Sequence, residues 1–202
     1  KPIILSTGMC GMGEIEEALD VIASQDNKDV ILLHCVSVYP TDIKDVNLKA
    51  MTTMKNAFKT PTGYSDHTIG NTVSNAALAM GANIIEKHFT LNKNLEGSDH
   101  ALSADVEDLN NLVNTRDTIF TAMGSGIKKA TMIESLAINS QRKSIFTRAK
   151  IKKGETITLA NITIKGPGHG LMPKYLDLVL GKKVTKNVEA DSPITWDEIL
   201  SV

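Results

Sequence analysis

Two histidines at the ends of neighbouring strand-like segments carry the clearest chemical signal in this sequence. His67 ends the run Gly-Tyr-Ser-Asp-His, and His88 ends the run Ile-Ile-Glu-Lys-His. A helix-compatible stretch at 70–80 separates them, so the pattern predicts two parallel neighbouring strands with both imidazoles at their carboxyl ends. Two imidazoles at one sheet edge can hold a divalent metal and leave coordination positions open for a substrate.

The alternation of side chains along a strand sorts the residues around these histidines. If His67 and His88 point to the interior of a barrel, Lys87 points towards the surrounding helices, which disfavours a Schiff-base role for its amine. The residues predicted to share the face of the histidines are Ser37, Tyr39, Ser65 and Glu86.

The elements that must position these residues follow one another as four strand–helix units. Such a series predicts an α/β protein with a parallel sheet, and four units make half of a (β/α)8 TIM barrel. The expected strands are 2–7, 30–37, 62–66 and 83–89. The expected helices are 13–25, one capped by Asn47, 70–80 and 105–123.

The pattern changes near Gly124. Residues 1–124 are predicted to form the half barrel, and residues 125–143 are polar and typical of a linker. Residues 144–202 contain short strand-like segments, such as 151–157, separated by Gly and Pro, which predicts a small β-rich module.

The composition places the chain in a broad class. Of its 202 residues 42% are hydrophobic and 22% are charged, and the formal net charge of −1 gives no basic field for nucleic acid or membrane. Cys10 and Cys35 are the only cysteines, which favours a reducing, cytoplasmic location. No apolar run reaches the ~18 residues of a membrane span. Because the chain opens on Lys1 in a strand-like run, we expect it to be part of a longer protein.

Further candidate residues lie outside the two histidine motifs. Asp99, in a polar loop after the last strand, could accept a hydrogen bond from a sugar hydroxyl or move a proton. Cys35 faces the interior without a predicted base nearby, so we expect it to pack in the core, and His34 on the other face is predicted to be structural. The glycines between Gly8 and Gly13 lack the spacing and lysine of a phosphate loop.

Together the motifs closely resemble the sialic acid synthase family. The motifs occur in family order: Lys1-Pro-Ile-Ile-Leu-Ser-Thr-Gly-Met9, Leu33-His-Cys35 with Tyr39-Pro40, Gly63-Tyr-Ser-Asp-His-Thr68, Glu86-Lys-His-Phe-Thr90 and Gly97-Ser-Asp-His100. The tail from Arg142 to Gly168 resembles the antifreeze-like (SAF, β-clip) domain of that family. The resemblance implies a complete barrel in the parent protein, whose first four strands this chain lacks.

The resemblance also implies an activity and a set of site residues. Family members condense phosphoenolpyruvate with an N-acylated hexosamine, such as N-acetylmannosamine or a diacetamido sugar, to give a nonulosonic acid and phosphate by C–O cleavage. The implied metal is Mn²⁺, with Mg²⁺ or Co²⁺ as alternatives, held by His67 and His88; Glu86 would bind a metal-bound water or orient a ligand. The implied substrate-binding residues are Lys1, Ser6, Ser37 and Ser65 for phosphoenolpyruvate, and Tyr39 and Asp99 for the sugar.

The family pattern is not followed everywhere. Relatives often have asparagine in place of Ser37, and commonly have arginine in place of Gly166, where it reaches the N-acyl group of the sugar in a partner subunit. The resemblance implies a domain-swapped homodimer, but this departure leaves the sugar open. Two alternatives remain: a Schiff-base aldolase using Lys87, and a carbohydrate-binding fragment without catalytic activity.

Overall fold

The structure, a computed structural model, describes residues 1–199 and divides the chain into two compact units, whose boundary in the sequence falls between Gly126 and Ile127. The first unit alternates strands and helices. Its strands are β1 (Ile3–Ser6), β2 (Val30–Cys35), β3 (Thr62–Asp66) and β4 (Ile85–Lys87). Its helices are α1 (Met12–Ala23), α2 (Lys49–Phe58), α3 (Thr72–Ala79) and α4 (Val106–Met123).

The four strands form one parallel sheet in the order β1-β2-β3-β4. This arrangement confirms the predicted βα units and is that of part of a TIM barrel. The register aligns Cys35 with Ser65, and Ser65 with Glu86, so these three residues share one face of the sheet. Gly63 allows β3 and β4 to approach closely, because a Cβ atom there would overlap the Ile84 carbonyl group.

The other face of the sheet packs against the helices. Two apolar clusters fill this layer, and fully buried Leu32 and Tyr64 belong to one each. His34 also lies on this face, and its Nε2 atom bonds to the carbonyl oxygen of Val46 at 2.7 Å. The structural role predicted for His34 fits this contact.

One expected helix start is wrong. Asn47 has a left-handed backbone (φ 46°), and α2 begins at Lys49 after Leu48. The preceding residue, Val46, has its carbonyl oxygen bonded to His34, which holds the chain in a turn at the position where capping was expected.

The second unit contains α5 (Met132–Gln141), β5 (Ser144–Thr147), β6 (Ile162–Lys165) and the short α6 (Leu176–Val179). Strands β5 and β6 pair antiparallel, and isolated bridges such as that between Ile151 and Val188 extend the pairing. The segment expected as a strand at 151–157 contributes only such bridges. Fully buried Ile145, Ile157 and Ile194 belong to the core of this unit.

No helix within residues 1–199 is long and apolar enough to cross a membrane.

Candidate active site

Both histidines directly follow the last residue of a strand, His67 after β3 and His88 after β4. Their ring centroids are 5.3 Å apart, and the rings are nearly perpendicular, at 78°. The ring of Tyr39 lies 4.1 Å from that of His67 and 5.2 Å from that of His88. The predicted meeting of the two imidazoles at one sheet edge is therefore confirmed, and Tyr39 joins them.

The Nδ1 atoms of both rings face protein groups. Nδ1 of His67 lies 2.8 Å from the carbonyl oxygen of Val36 and so donates to it. Nδ1 of His88 lies 3.6 Å from a carboxylate oxygen of Asp99. Neither Nε2 atom has a hydrogen-bond partner in the described part of the chain. A neutral imidazole that donates from Nδ1 keeps its lone pair on Nε2, the state in which it binds metals.

Asp99 reaches His88 through a folded loop between β4 and α4. The Thr90 amide bonds to the Ala104 carbonyl oxygen, and the Ala104 amide bonds to the His88 carbonyl oxygen, both at 2.8 Å, which closes the loop at its base. The Asp99 side chain remains 56% exposed. The loop therefore presents a carboxylate beside one imidazole and open to solvent.

Glu86 and Ser65 form a polar pair beside the histidines on the barrel-facing side of the sheet. The Ser65 hydroxyl donates to a Glu86 carboxylate oxygen at 2.7 Å. Ser65 is buried whereas Glu86 is exposed, so the carboxylate is anchored at one oxygen and accessible at the other. The face predicted from strand alternation is confirmed for both residues.

The remaining predicted substrate residues divide between the two ends of the sheet. Ser6 ends β1 on the edge that carries the histidines, and Ser37 follows β2 there. The Ser37 hydroxyl occupies the space that a side chain at Gly8 would fill. Lys1 precedes β1 at the opposite, amino edge, where its carbonyl oxygen accepts a hydrogen bond from Asn27. The structure does not bring Lys1 to the histidines.

Cys35 differs from its expected surroundings. Its sulfur lies 3.9 Å from Nδ1 of His67 and 4.0 Å from the Ser37 hydroxyl, so an imidazole is in fact nearby, although this nitrogen carries the proton that it donates to Val36. The side chain is buried, as expected for core packing. Cys35 and His67 share the barrel-facing side of the sheet, because Cys35 is aligned with Ser65, two residues before His67.

Lys87 lies on the helix-facing side, as predicted. Its amine forms an ion pair with Asp66 at 3.0 Å, and the side chains are 7% and 0% exposed respectively. Below them Tyr64 is fully buried, and its burial, reinforced by the Asp66 and Cys35 charges, raises the pKa of the phenol. The alternation of Asp66 with His67 and of Lys87 with His88 is the sequence signal for this ion pair.

The donors available for a metal are few. Among residues 1–199 no group of three or more His, Cys, Asp and Glu side chains converges as a metal site. A site here would therefore use the two imidazoles and leave its other positions to water or substrate, which suits Lewis-acid chemistry.

Comparison with known proteins supports the resemblance of both units to the sialic acid synthase family. Residues 1–128 match the NeuB family and residues 142–200 match the SAF domain. The chain is 48% identical over 196 residues to N,N'-diacetyllegionaminic acid synthase of Campylobacter jejuni, covering 96% of this chain and 59% of that protein. It is 37% identical over 202 residues to pseudaminic acid synthase of Helicobacter pylori, covering 98% of this chain and 58% of that protein.

A solved structure gives the same result. The crystal structure of N-acetylneuraminic acid synthetase from Leptospira borgpetersenii matches with a TM-score of 0.62 and 39% identity, over 68% of this chain and 48% of that chain. This chain thus spans less than two thirds of the length of the relatives it matches.

Proposed function

The chain belongs to the NeuB family, and we propose that the protein containing it condenses phosphoenolpyruvate with an N-acylated hexosamine to give a nonulosonic acid and phosphate. Relatives named as legionaminic and pseudaminic acid synthases support this reaction class. The observation that carries the proposal is the placement of His67 and His88 at one sheet edge. Nδ1 of His67 donates to the Val36 carbonyl oxygen, Nδ1 of His88 faces the Asp99 carboxylate at 3.6 Å, and both Nε2 atoms are without a hydrogen-bond partner among the described residues.

His67 and His88 would hold a divalent ion, for which we propose Mn²⁺. The donor set fits, because the Val36 carbonyl oxygen accepts from Nδ1 of His67 and leaves its Nε2 for a metal, and the Asp99 carboxylate lies 3.6 Å from Nδ1 of His88, on the Nδ1 side of that ring. When bound, such an ion supplies a Lewis acid that polarises the aldehyde oxygen of the open-chain sugar.

The proposed reaction forms a bond between the enol carbon of phosphoenolpyruvate and the aldehyde carbon of the sugar. The aldehyde oxygen takes up a proton and becomes a hydroxyl group. Water adds to the carbon that carries the phosphate and gives up one proton. That carbon then loses phosphate as its C–O bond breaks, and the remaining hydroxyl proton passes to the leaving phosphate, so that a keto group is left. Asp99 and Glu86 are the carboxylates at this edge that we propose accept or return these protons.

The hydroxyl groups of Ser6 and Ser37 are the donors that we propose for phosphoenolpyruvate, and the Ser65 hydroxyl, which donates to Glu86, is proposed to turn to phosphoenolpyruvate when it binds. The Tyr39 ring, beside both imidazoles, is proposed to contact the sugar. Lys1 is left out, since it lies at the amino edge of the sheet. Which N-acylated hexosamine is used stays open, because Gly166 lacks the arginine side chain that the resemblance implies for the N-acyl contact.

The test is release of phosphate from phosphoenolpyruvate by the full-length protein, with Mn²⁺ and a panel of N-acylated hexosamines. We expect sugar-dependent release that EDTA and the variant His67→Ala/His88→Ala abolish. A matched double substitution of an exposed ion pair, Asp42→Ala/Lys44→Ala, should leave the rate unchanged. Absence of release with every sugar would contradict the proposal and favour a binding role.

Isotope labelling tests the bond that breaks. With ¹⁸O in the bridging oxygen of phosphoenolpyruvate, C–O cleavage transfers the label to inorganic phosphate. Label retained in the sugar acid would instead indicate P–O cleavage and would overturn this part of the mechanism.

A further inference from the structure

The ion pair between Asp66 and Lys87 belongs to a network in which every oxygen of the carboxylate has partners. One oxygen of Asp66 accepts from the Lys87 amine at 3.0 Å and from the Ser74 hydroxyl at 2.5 Å. The other accepts from the backbone amide and the hydroxyl of Thr68, at 2.8 and 2.7 Å. We call these four residues the clasp. All its members are buried or nearly so, on the helix-facing side of the sheet.

Two members of the clasp flank His67 in the sequence. Asp66 precedes this histidine and Thr68 follows it, and the Lys87 amine bonds both to Asp66 and to the Thr68 carbonyl oxygen, the latter at 2.6 Å. The chain therefore makes a tight turn at His67 that is held from both sides. An aspartate that bonds to the backbone two residues later is a common way to stabilise such a turn.

The clasp also reaches the second histidine. Lys87 is the last residue of β4, and His88 is the next residue in the chain. Since its amine is held by Asp66 at the end of β3, the two strand ends cannot shift relative to each other without breaking these bonds. A single buried network thus links the backbone on both sides of His67 to the residue before His88.

Net stability is a weak explanation for such a pair. Removing two charges from water costs several kcal/mol each, and well-packed apolar residues of similar volume are often as stabilising as a buried ion pair. What apolar residues do not provide is direction, because hydrogen bonds constrain angles as well as distances.

We propose that the clasp is a positioning network that sets the separation and orientation of the two imidazoles, and thereby the affinity of the site for a divalent cation. The affinity part rests on the proposed metal site. The geometric part stands on the contacts of the clasp alone. Asp66, Thr68, Ser74 and Lys87 act through the histidines and contact no substrate.

The experiment uses three variants of the full-length protein: Asp66→Asn, Lys87→Met and the double variant. Each single variant leaves a buried partner unpaired, so we expect a lower free energy of unfolding. In the double variant no buried charge is unpaired, and we expect stability to recover. Mn²⁺ affinity, measured by electron paramagnetic resonance, should nevertheless stay about 10- to 100-fold below that of the wild type.

Leu32→Ala is the matched control, since Leu32 is fully buried on the same side of the sheet but has no part in the clasp. It should lower stability while the folded protein keeps its Mn²⁺ affinity. If the double variant binds Mn²⁺ as the wild type does, the clasp is structural only and the proposal is overturned.

A second measurement separates this inference from the proposed function. In the metal-free protein, imidazole resonances and the nuclear Overhauser contact between the two rings report their arrangement directly. We expect the double variant to alter both, even if the wild type proves to bind no Mn²⁺ and to release no phosphate. Unchanged ring resonances and contact would overturn the geometric part.

Discussion

The Ser65 hydroxyl donates a 2.7 Å hydrogen bond to Glu86 across two neighbouring parallel strands. Each partner stands two residues before a histidine, so the bond lies on the barrel-facing side directly below the imidazoles. The opposite side of the same strands carries the ion pair between Asp66 and Lys87. The ends of β3 and β4 are therefore joined by side chains on both faces.

The first prediction concerns Ser65 and Glu86. We expect Ser65→Ala to lower kcat/KM for phosphate release by about ten-fold or more, because a hydrogen bond to a charged group contributes about 1.5–3 kcal/mol. Stability should change little, since Glu86 is exposed and can be hydrated. A double-mutant cycle with Glu86→Gln measures the coupling. If the two effects simply add, the bond does not position the carboxylate.

The second prediction concerns Lys87. Its amine is buried and bonded to Asp66 and Thr68, so it is neither free nor accessible to a carbonyl compound. We expect no covalent adduct at Lys87 when the protein is treated with a 2-keto acid and borohydride, as followed by mass spectrometry. An aldolase known to form a Schiff base serves as the positive control, and a trapped adduct on Lys87 would restore the aldolase alternative.

The third prediction concerns Tyr64. Its ring is fully buried, and its hydroxyl has no hydrogen-bond partner in the described part of the chain. We expect Tyr64→Phe to raise the free energy of unfolding by about 1 kcal/mol, since an unsatisfied buried hydroxyl is costly. Tyr64→Leu, which also removes the ring, should lower it. Denaturant unfolding measures both, and a Phe variant that is clearly less stable would reveal a partner for the hydroxyl.

Tyr64 also predicts a pH dependence. Burial raises the pKa of the folded-state phenol above its unfolded-state value of about 10. The contribution of the neutral Tyr64 phenol to the free energy of unfolding is therefore fully present below about pH 10. It falls as the pH rises from there towards the folded-state pKa, because in this range the phenol ionises readily only in the unfolded state. Tyr64→Phe should show a smaller alkaline loss than the wild type in unfolding measured across this range. If both proteins lose the same stability at alkaline pH, ionisation of Tyr64 is not the cause of the loss.

The fourth prediction concerns acid stability of the second unit. Partial burial tends to raise the pKa of Glu198, but hydrogen bonds from Thr195 and the nearby Lys186 amine outweigh it and lower the pKa. The stabilisation is present above the unfolded-state pKa and is lost as the pH falls through the lowered folded-state pKa. It amounts to about 1 kcal/mol or less, because the carboxylate is still partly exposed to solvent, which screens these interactions.

Glu198→Gln tests this directly. The variant should be less stable than the wild type at neutral pH, and the difference should disappear in acid, as measured by thermal unfolding at a series of pH values. Glu189→Gln is a suitable control, because Glu189 forms an exposed ion pair with Lys150. A difference that persists at low pH would mean that the charge of Glu198 is not responsible.

The sequence by itself determined the order of strands and helices in the first unit and the side on which most site residues lie. Strand alternation placed Ser65 and Glu86 on one face and Lys87 on the other, and both assignments agree with the register. These features are local, because each strand residue takes its side from its neighbours in the chain. Where a local signal competed with a distant contact it failed, as at Asn47, beside the turn held by His34.

Only the tertiary structure decided what each functional group touches. The bond from His67 to the Val36 carbonyl oxygen and the approach of Asp99 to His88 both join residues that are separated in the chain. Such contacts depend on how loops return to the sheet and on which strands become neighbours, and alternation along one strand contains no information about either. The types of the site residues were thus readable from the sequence, whereas the atoms left available for chemistry were set by packing.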